Sequence, residues 1–237
     1  VQGIMEGHVL RKFRFYHSFP MYLSEKFYPG LYDRFIFVSP VTQKKVMTGV
    51  KGKVRQCHMI PNGVDKALLQ TAPAAGDYIL FFSRIDTYTK GLDLLLSAFS
   101  RLAPSFPHLE LVLAGYQFDP VEKLLAGLAP SLRSRVRYAG FLSGKAKRDL
   151  LAGAAVVVLP SRHESAPISI LEAAACGKPL VVSNIRELKF VADNGLGLEF
   201  SSGVAEELRE RLELVLKNPE MRTEMGNRGR EYAKRLP

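Results

Sequence analysis

The sequence predicts an α/β fold in which a parallel sheet is covered by helices on both faces. Two observations carry this prediction. Between residues 78 and 183, short apolar runs typical of strands alternate with segments of helical periodicity. The strand segments are continuously apolar, as expected for strands buried on both sides. The composition of the 237 residues, 47% hydrophobic and 24% charged, is that of a folded domain and excludes a disordered or collagen-like chain.

The front of the chain has a mixed pattern that ends in a linker. Residues 8–28 combine aromatic and basic side chains without a clean period and predict a helix with a loop. Proline is favoured in the first turn of a helix, so Pro40 indicates a helix start. Residues 66–76, with Ala, Pro and Gly, predict a linker. The other segments predicted here are strands at 35–39 and 56–60, a helix at 40–48 and a turn at 61–63.

After the linker the pattern is regular. The helix at 90–102 has apolar residues from Leu92 to Phe99 at the i, i+3, i+4, i+7 spacing of a buried face. The sheet strands are predicted at 78–82, 109–114, 136–138, 155–159 and 180–183. Helices are predicted at 90–102, 121–128, 145–151, 168–175, about 203–217 and 219–235.

The formal charge of +10 is concentrated at the front of the chain. Residues 1–72 contain 11 Lys and Arg against 4 Asp and Glu, whereas residues 73–237 contain 22 against 19. A basic surface indicates an anionic partner, such as nucleic acid, acidic lipid or a phosphorylated substrate. The alternative is a solvated basic face without a partner.

Several chemistries are excluded by missing motifs. No apolar run approaches the roughly 20 residues that a membrane-spanning helix needs. The sequence has no Asp-x-Asp pair, no His and Cys cluster at metal spacing, no nucleophile elbow and no Gly-rich phosphate loop ending in Lys-Ser or Lys-Thr. We therefore expect no metal. Cys57 and Cys176 lie far apart, which predicts reduced thiols in a reducing compartment.

The loop at 83–91 carries two cations between a strand end and a helix start. Ligands of open parallel sheets bind at the carboxyl ends of the strands. Arg84 can fork two phosphate oxygens, and Lys90 supplies a point charge beside a helix N-terminus. This pair predicts a diphosphate site, and the alternative is two surface cations near a turn.

The loop at 160–168 contains a carboxylate and leads into a helix with another. Glu172 lies in an otherwise apolar, Ala-rich helix, where a carboxylate needs a partner. Glu164 and Glu172 can accept hydrogen bonds from sugar hydroxyls, and free N–H groups at the helix start can hold phosphate. His163 could act as a base, but a lone histidine in a loop is more often only solvated.

Together these segments resemble the retaining glycosyltransferase family 4, which has the GT-B fold. Each match is weak alone, but the set occurs in family order over about residues 35–235, which makes it specific. The matching segments are Ile-Pro-Asn-Gly-Val-Asp at 60–65, Ser83 and Arg84 with Lys90 to Leu92, Leu-Ala-Gly at 113–115, Gly-Phe-Leu at 140–142, Pro160 and Ser161 through Glu164, Glu172 with Ala173, and Gly-Lys-Pro at 177–179.

The resemblance implies a role for each matched residue. It implies that Arg84 and Lys90 hold the donor diphosphate and stabilise it as a leaving group. It further implies that Glu164 contacts the donor sugar and Glu172 holds the ribose hydroxyls. The remaining implied donor-binding residues are Ser83 and Gly115, Phe141 and Leu142 beside the base, and Ser165, Ala166, Pro167 and Ile168, whose backbone faces the sugar and phosphates.

The implied function is sugar transfer from a nucleotide-diphosphate sugar to a saccharide or lipid-linked acceptor. The resemblance implies retention of anomeric configuration and no metal, in polysaccharide, lipopolysaccharide or glycolipid synthesis. The nucleotide sugar is a substrate, so no cofactor is expected. Two alternatives are a non-catalytic nucleotide-sugar-binding module and a GT-B nucleotide-sugar epimerase, the latter disfavoured because the matched Arg, Lys and Glu set is the transferase pattern.

The resemblance also divides the chain. Residues 73–237 resemble the Rossmann-like C-terminal donor domain, and residues 1–72 resemble the end of a partial second Rossmann-like domain on the acceptor side. The chain does not begin with Met, and we expect the family's last helix to be cut at Pro237, so we expect a fragment that alone transfers nothing. A family histidine near the reacting sugar corresponds either to the Gln2 and Gly3 position or to His8.

The basic front then has a specific interpretation. Arg11, Lys12 and Arg14 lie beside Phe13, Phe15 and Tyr16 in the acceptor-side segment. In this family that domain often meets anionic membrane surfaces or lipid-linked acceptors. We therefore expect a cytoplasmic protein that binds peripherally to the inner face of the membrane, and no nucleic-acid partner.

Overall fold

Two parallel strands form a small sheet near the front of the chain. The computed structural model describes residues 15–49, 54, 56–74 and 76–237. Helix α1 (Phe15–Phe27) precedes strand β1 (Arg34–Phe37), and α2 (Pro40–Gly49) lies between β1 and β2 (Gln56–Met59). Phe35 and Phe37 of β1 are buried, and their rings stack with centroids 5.6 Å apart. The predicted strands and helix of this segment are confirmed.

The larger sheet has six strands, all parallel. They are β3 (Tyr78–Phe82), β4 (Glu110–Ala114), β5 (Val136–Tyr138), β6 (Val156–Leu159), β7 (Leu180–Ser183) and β8 (Gly197–Phe200). The spatial order is β5-β4-β3-β6-β7-β8. The four residues of β6 and the four of β7 are all buried, because a parallel sheet inside an α/β fold is covered on both faces.

The helices cover this sheet in two groups. They are α3 (Lys66–Gln70), α4 (Leu92–Leu102), α5 (Val121–Ala126), α6 (Pro130–Arg133), α7 (Gly144–Ala152), α8 (Ile168–Ala175), α9 (Phe190–Asp193), α10 (Ala205–Lys217) and α11 (Pro219–Ala233). Helix α4 packs against α10, and α8 packs against α11. The predicted fold class, a parallel sheet with helices on both faces, is confirmed.

The strand order reverses at the centre of the sheet. From β3 the chain runs outward to β4 and β5, then returns to β6 and continues through β7 to β8 on the other side. The loops after β3 and β6 therefore begin side by side, and the gap between them is the usual ligand crevice of such a sheet. Both loops that the sequence singled out, 83–91 and 160–168, leave these two strands.

Two predictions about elements were incomplete. Residues 66–76 were expected to be a linker, but residues 66–70 form helix α3, whose first turn is capped by Asp65 accepting a 2.9 Å hydrogen bond from the Ala67 N–H. Leu68 on this helix is fully buried in the main core. Strand β8 was not predicted, because two of its four residues are only half-buried at the sheet edge. The division of the chain at residue 72 stays a prediction.

Several expectations about the front of the chain fall outside the described residues. These are the candidate positions Gln2, Gly3 and His8, and the basic residues Arg11, Lys12 and Arg14. None of the helices in the described ranges is long and apolar enough to cross a membrane. Both cysteines are unpaired, as predicted, with Cys57 exposed and Cys176 buried.

Candidate functional site

Lys90 and Glu164 meet where β3 and β6 end. The Lys90 Nζ donates to the Glu164 Oε1 at 2.5 Å, and the Ser161 Oγ donates to the same oxygen at 2.6 Å. The side chains of Lys90 and Glu164 are only 14% and 5% exposed, so each charge depends on the other for its neutralisation. The topology thus joins two predicted site residues that lie 74 positions apart.

Arg84 lies on the same loop as Lys90 and is held by Asp86. The Arg84 Nη2 donates to the Asp86 Oδ2 at 2.9 Å, and the guanidinium lies 5.2 Å from the ring centroid of Phe118. Asp86 is fully buried, and its other oxygen accepts the Thr89 N–H at 3.0 Å. The Arg84 side chain remains 45% exposed, so an anion can reach its guanidinium. Sequence reasoning missed Asp86, although an acidic residue between two predicted phosphate-binding cations was a signal.

Arg162 fastens the two loops to each other. Its guanidinium donates to both carboxylate oxygens of Asp93, at 2.7 and 2.6 Å, and to the Tyr88 carbonyl at 2.9 Å. The Arg162 backbone N–H also donates to the Thr89 carbonyl at 2.9 Å. The hydrogen bonds to Asp93 raise the pKa of Arg162 further above its ordinary value. Arg162 was not among the predicted residues, and it sets the spacing of the loops that carry Lys90 and Glu164.

Glu172 has the partner that its position in an apolar helix required. The Lys147 Nζ on α7 donates to the Glu172 Oε1 on α8 at 2.6 Å, with both side chains mostly buried. Lys147 could not be singled out from the sequence alone, because the contact depends on how α7 packs against α8. The pair leaves Glu172 with one further oxygen for hydrogen bonding.

The backbone after Glu164 is held by the front segment, the part of the chain before α3 that contains the two-stranded sheet. The Ser39 Oγ donates to the Ser165 carbonyl at 3.2 Å, and the Asn62 Nδ2 donates to the Ala166 carbonyl at 2.9 Å. The C=O and the following N–H of a trans peptide point in opposite directions. The Ala166 N–H is therefore directed away from Ser39. A cavity of about 250 Å³ lies between this loop and the front segment.

The other predicted donor-binding residues lie at the ends of neighbouring strands. Ser83 and Gly115 are in contact, since a Cβ on Gly115 would lie 1.9 Å from the Ser83 carbonyl oxygen. The Gly115 N–H donates to the Gly140 carbonyl at 2.9 Å, which ties the end of β4 to the loop before Phe141. Phe141 is 73% exposed and Leu142 is half-buried.

The first turn of α8 and the residues before it complete the predicted set. Pro167 is half-buried and precedes α8, and Ile168 begins this helix with half of its side chain exposed. His163, expected to be solvated, is instead buried, with 8% of its surface exposed. In the described ranges no group of three or more His, Cys, Asp or Glu could hold a metal ion.

The comparison with protein families identifies the chain. Residues 70–232 match the family model described as glycosyl transferases group 1. The chain belongs to this family. The match covers the six-stranded sheet and the helices α4 to α10, together with nearly all of α11, so the group 1 assignment rests on the part of the chain that holds Arg84, Lys90, Glu164 and Glu172.

Two characterised group 1 relatives are mannosyltransferases by name. The MMP alpha-(1→4)-mannosyltransferase of Mycolicibacterium hassiacum is 31% identical over 202 residues, which cover 83% of this chain and 48% of the relative. The phosphatidyl-myo-inositol mannosyltransferase of Mycobacterium leprae is 29% identical over 184 residues, covering 74% of this chain and 48% of the relative. The chain thus spans about half the length of these relatives.

A solved structure shows the same fold. The Anabaena HepE structure in complex with UDP-glucose superimposes with a TM-score of 0.76 at 20% identity, covering 99% of this chain and 66% of HepE. At this identity the likeness establishes the fold of the group 1 chain alone.

Proposed function

We propose that this group 1 glycosyltransferase moves a sugar from a nucleotide-diphosphate sugar to an acceptor, with retention of anomeric configuration and without a metal. The observation that carries the proposal is the contact of Lys90 with Glu164 beside Arg84, at the point where the strand order reverses. Two cations and a carboxylate at this crevice match the two ends of such a donor, a diphosphate and a sugar. The names of the relatives and the UDP-glucose complex of HepE support the same substrate class.

Arg84 and Lys90 act on the leaving group. Breaking the bond between the anomeric carbon and the diphosphate oxygen places the bonding electrons on the diphosphate and positive charge on the sugar. Fixed cations lower the energy of this charge separation because they are already oriented before the reaction begins. Arg84 can fork two phosphate oxygens, and Lys90 supplies a compact charge beside the scissile bond. In this proposal the two cations perform the charge neutralisation that a divalent metal performs in other transferases.

Glu164 orients the sugar rather than attacking it. When Lys90 turns to the phosphate, the Glu164 carboxylate keeps the Ser161 hydroxyl and gains sugar hydroxyls as donors. Retention follows if the acceptor hydroxyl attacks on the face that the diphosphate leaves. The departing phosphate oxygen can then accept the acceptor's proton, so no additional protein base is required.

Glu172 and the exposed rim bind the nucleoside. We assign the ribose hydroxyls to the Glu172 oxygen left free by Lys147, and the base to the edge formed by Phe141 and Leu142. The backbone of Ser165 to Ile168 faces the sugar and phosphates, with the Ala166 N–H as a donor. Ser83 and Gly115 form the floor because no side chain intervenes between them.

The proposal extends to the class of acceptor and to the position of the protein in the cell. We propose a saccharide or lipid-linked acceptor, supported by the relative named as acting on phosphatidyl-myo-inositol. A peripheral position on the cytoplasmic face of an anionic membrane fits the basic front of the sequence. Co-sedimentation with liposomes tests it, and equal binding to neutral and anionic vesicles would remove this part of the proposal.

A binding experiment tests the donor site on the 237-residue chain itself. UDP-, GDP- and ADP-sugars are screened by thermal shift, and the affinity of the best ligand is then measured by calorimetry. Arg84→Ala, Lys90→Ala and Glu172→Ala should each weaken binding about tenfold or more. Lys145→Ala is the control, because the Lys145 and Asp149 side chains form an exposed pair on α7. Unchanged affinity in all three site variants would refute the assignment.

A non-catalytic binding module is the second candidate for this chain alone. It is favoured by the chain spanning about half the length of its relatives. We expect the 237 residues to bind a nucleotide sugar weakly and to transfer nothing, whereas the full gene product transfers. Robust transfer by the 237-residue chain would contradict this expectation.

A further inference from the structure

A second cavity lies at the opposite edge of the six-stranded sheet from the proposed donor site. It has a volume of about 390 Å³ and lies at the amino ends of β3, β6 and β7. Its wall contains the side chains of Lys178, Arg222 and Asn227. The proposed transfer reaction uses none of these residues.

Lys178 is buried there with few partners. The residue is 4% exposed, and its Nζ donates to the Ala74 carbonyl at 2.8 Å. An ammonium group has three N–H donors, so one carbonyl leaves two of them for other acceptors. Burial lowers the pKa of Lys178 to about 8, and the nearby Arg222 also lowers it. The charged form of Lys178 is therefore poorly stabilised by the protein alone.

Arg222 adds a second positive charge to the same wall. Across the described part of the chain, no carboxylate oxygen lies within 4 Å of a side-chain nitrogen of Lys178 or Arg222. Among the described residues, the lining of this cavity contains no Asp or Glu, and Asp77 lines an adjoining cavity together with Arg222 and His108. A buried cation is normally paired, so the unpaired and buried Lys178, with the half-buried Arg222 facing the same cavity, indicates that an anion belongs between them.

We propose that this cavity binds a small phosphate-class dianion between Lys178 and Arg222, at a site separate from the donor site. Two negative charges match the two cations, and the guanidinium fork fits two oxygens of a phosphate group. The Asn227 amide offers a further donor at the rim. This inference stands on residues outside the proposed catalytic set and holds whether or not the chain transfers sugar.

Inorganic phosphate is the probe, used with the 237-residue chain. Phosphate should raise the melting temperature and bind in calorimetry, while acetate at the same ionic strength should bind more weakly. Lys178→Met, which keeps the length of the side chain, and Arg222→Gln should each weaken phosphate binding about tenfold. Arg84→Ala should leave the phosphate binding that Lys178→Met removes, because Arg84 lies at the other edge of the sheet.

Proton uptake gives an independent signature. At about pH 8.5 phosphate binding should make Lys178 take up a proton, seen as a dependence of the binding enthalpy on the ionisation enthalpy of the buffer. Cys176, which also faces Lys178, stays protonated there because burial raises its pKa to about 11. The uptake should vanish in Lys178→Met.

Three results would overturn the proposal. One is the absence of any phosphate binding by the folded wild-type chain. Another is binding that survives in both Lys178→Met and Arg222→Gln, which would show an adventitious ion only. The third is binding lost in Arg84→Ala alone, which would place the phosphate in the donor site. Because Arg222 is half-buried rather than buried, Arg222→Gln should fold even if Lys178→Met does not, which circular dichroism checks.

Discussion

At the scale of single residues, the geometry of the proposed donor site depends on charges that hold other charges in place. Arg84 is fixed by buried Asp86, and Glu172 is fixed by Lys147. Arg162 has more contacts than either, since it bonds Asp93 through both nitrogens and also bonds the loop that carries Lys90. These supporting residues determine the distances between the side chains of the proposed donor site.

Replacing Arg162 by Met should therefore cost more than replacing an exposed arginine. The change removes the fork to Asp93 and the bond to the Tyr88 carbonyl, and we expect a loss of about 1–3 kcal/mol in the free energy of unfolding. Arg101→Ala is the matched control, because its pair with Glu206 is about half exposed and should contribute less to stability. Urea unfolding measures both losses in the free energy of unfolding. Equal losses would show that the contacts of Arg162 stabilise the protein no more than an exposed ion pair does.

The two cysteines should differ in reactivity. Cys176 is fully buried, and burial raises the pKa of its thiol to about 11, whereas Cys57 is exposed. The thiolate is the reactive form, so a chromogenic disulfide reagent at neutral pH should modify Cys57 quickly and Cys176 only after unfolding. Cys57→Ser should abolish the fast phase. Two equivalents of fast reaction in the native protein would contradict the burial of Cys176.

The predictable and the unpredictable site residues differ for a physical reason. Arg84, Lys90 and Glu164 could be proposed from the sequence because they follow strand ends, and ligands of parallel sheets bind at the carboxyl ends of the strands. Asp86, Lys147 and Arg162 could not, because each is defined by a partner that the crossover topology supplies. A sequence shows that Glu172 needs a cation, but not which helix provides it.

At the scale of elements, the close approach of the two loops rests on a glycine. Gly91 precedes α4 with φ +68°, and a Cβ there would lie 2.0 Å from the Pro160 carbonyl oxygen. Only glycine combines this left-handed conformation with such contact. Lys90 is the neighbouring residue, so the contact also fixes the start of its side chain against the end of β6.

Gly91→Ala should consequently strain both loops. The Cβ must displace the Pro160 backbone, and we expect a loss of about 2–4 kcal/mol in stability together with weaker donor binding. Gly127→Ala is a suitable control, since no atom lies within 4 Å of its added Cβ and its φ is −77°. Thermal melts and donor calorimetry measure the two effects. A Gly91→Ala protein as stable as Gly127→Ala would mean that the loops separate freely.

Element boundaries were predictable where the burial pattern was strong. The strands β3, β4, β6 and β7 are almost wholly buried, and their apolar runs are visible in the sequence. Helix α3 was hidden because its five residues sit among Ala, Pro and Gly, and the packing of Leu68 in the main core helps to keep it folded. Propensity alone cannot show such a helix, since the stabilising contact lies far away in sequence.

At the scale of the whole molecule, the front segment and the six-stranded sheet meet through polar bonds. Ser39 and Asn62 donate hydrogen bonds to two consecutive carbonyl groups of the loop after Glu164. On the far side of the same cavity, the Lys45 Nζ lies 2.7 Å from the Glu187 Oε1. Movement of the front segment would thus move the loop directly after Glu164.

Asn62→Ala should weaken donor binding although Asn62 is not itself among the predicted donor-binding residues. Loss of its 2.9 Å bond to the Ala166 carbonyl frees the loop, and we expect a three- to tenfold lower affinity at about unchanged stability. Asn194→Ala, which removes a surface bond to the Phe190 carbonyl, is the control and should bind normally. Calorimetry with the donor decides between them. Equal affinity would show that the front segment does not support the loop.

In the proposed reaction, the hydrogen bond between Lys90 and Glu164 affects the release of products. In the structure each group neutralises the other. A nucleoside diphosphate alone would attract Lys90 and leave the buried Glu164 carboxylate without its cation. A free sugar would bind Glu164 and leave Lys90 without an anion. Only the intact donor satisfies both groups at once, so we expect the protein to discriminate against the two halves. In the proposed reaction, re-formation of the pair after the sugar has left for the acceptor helps to expel the spent nucleotide.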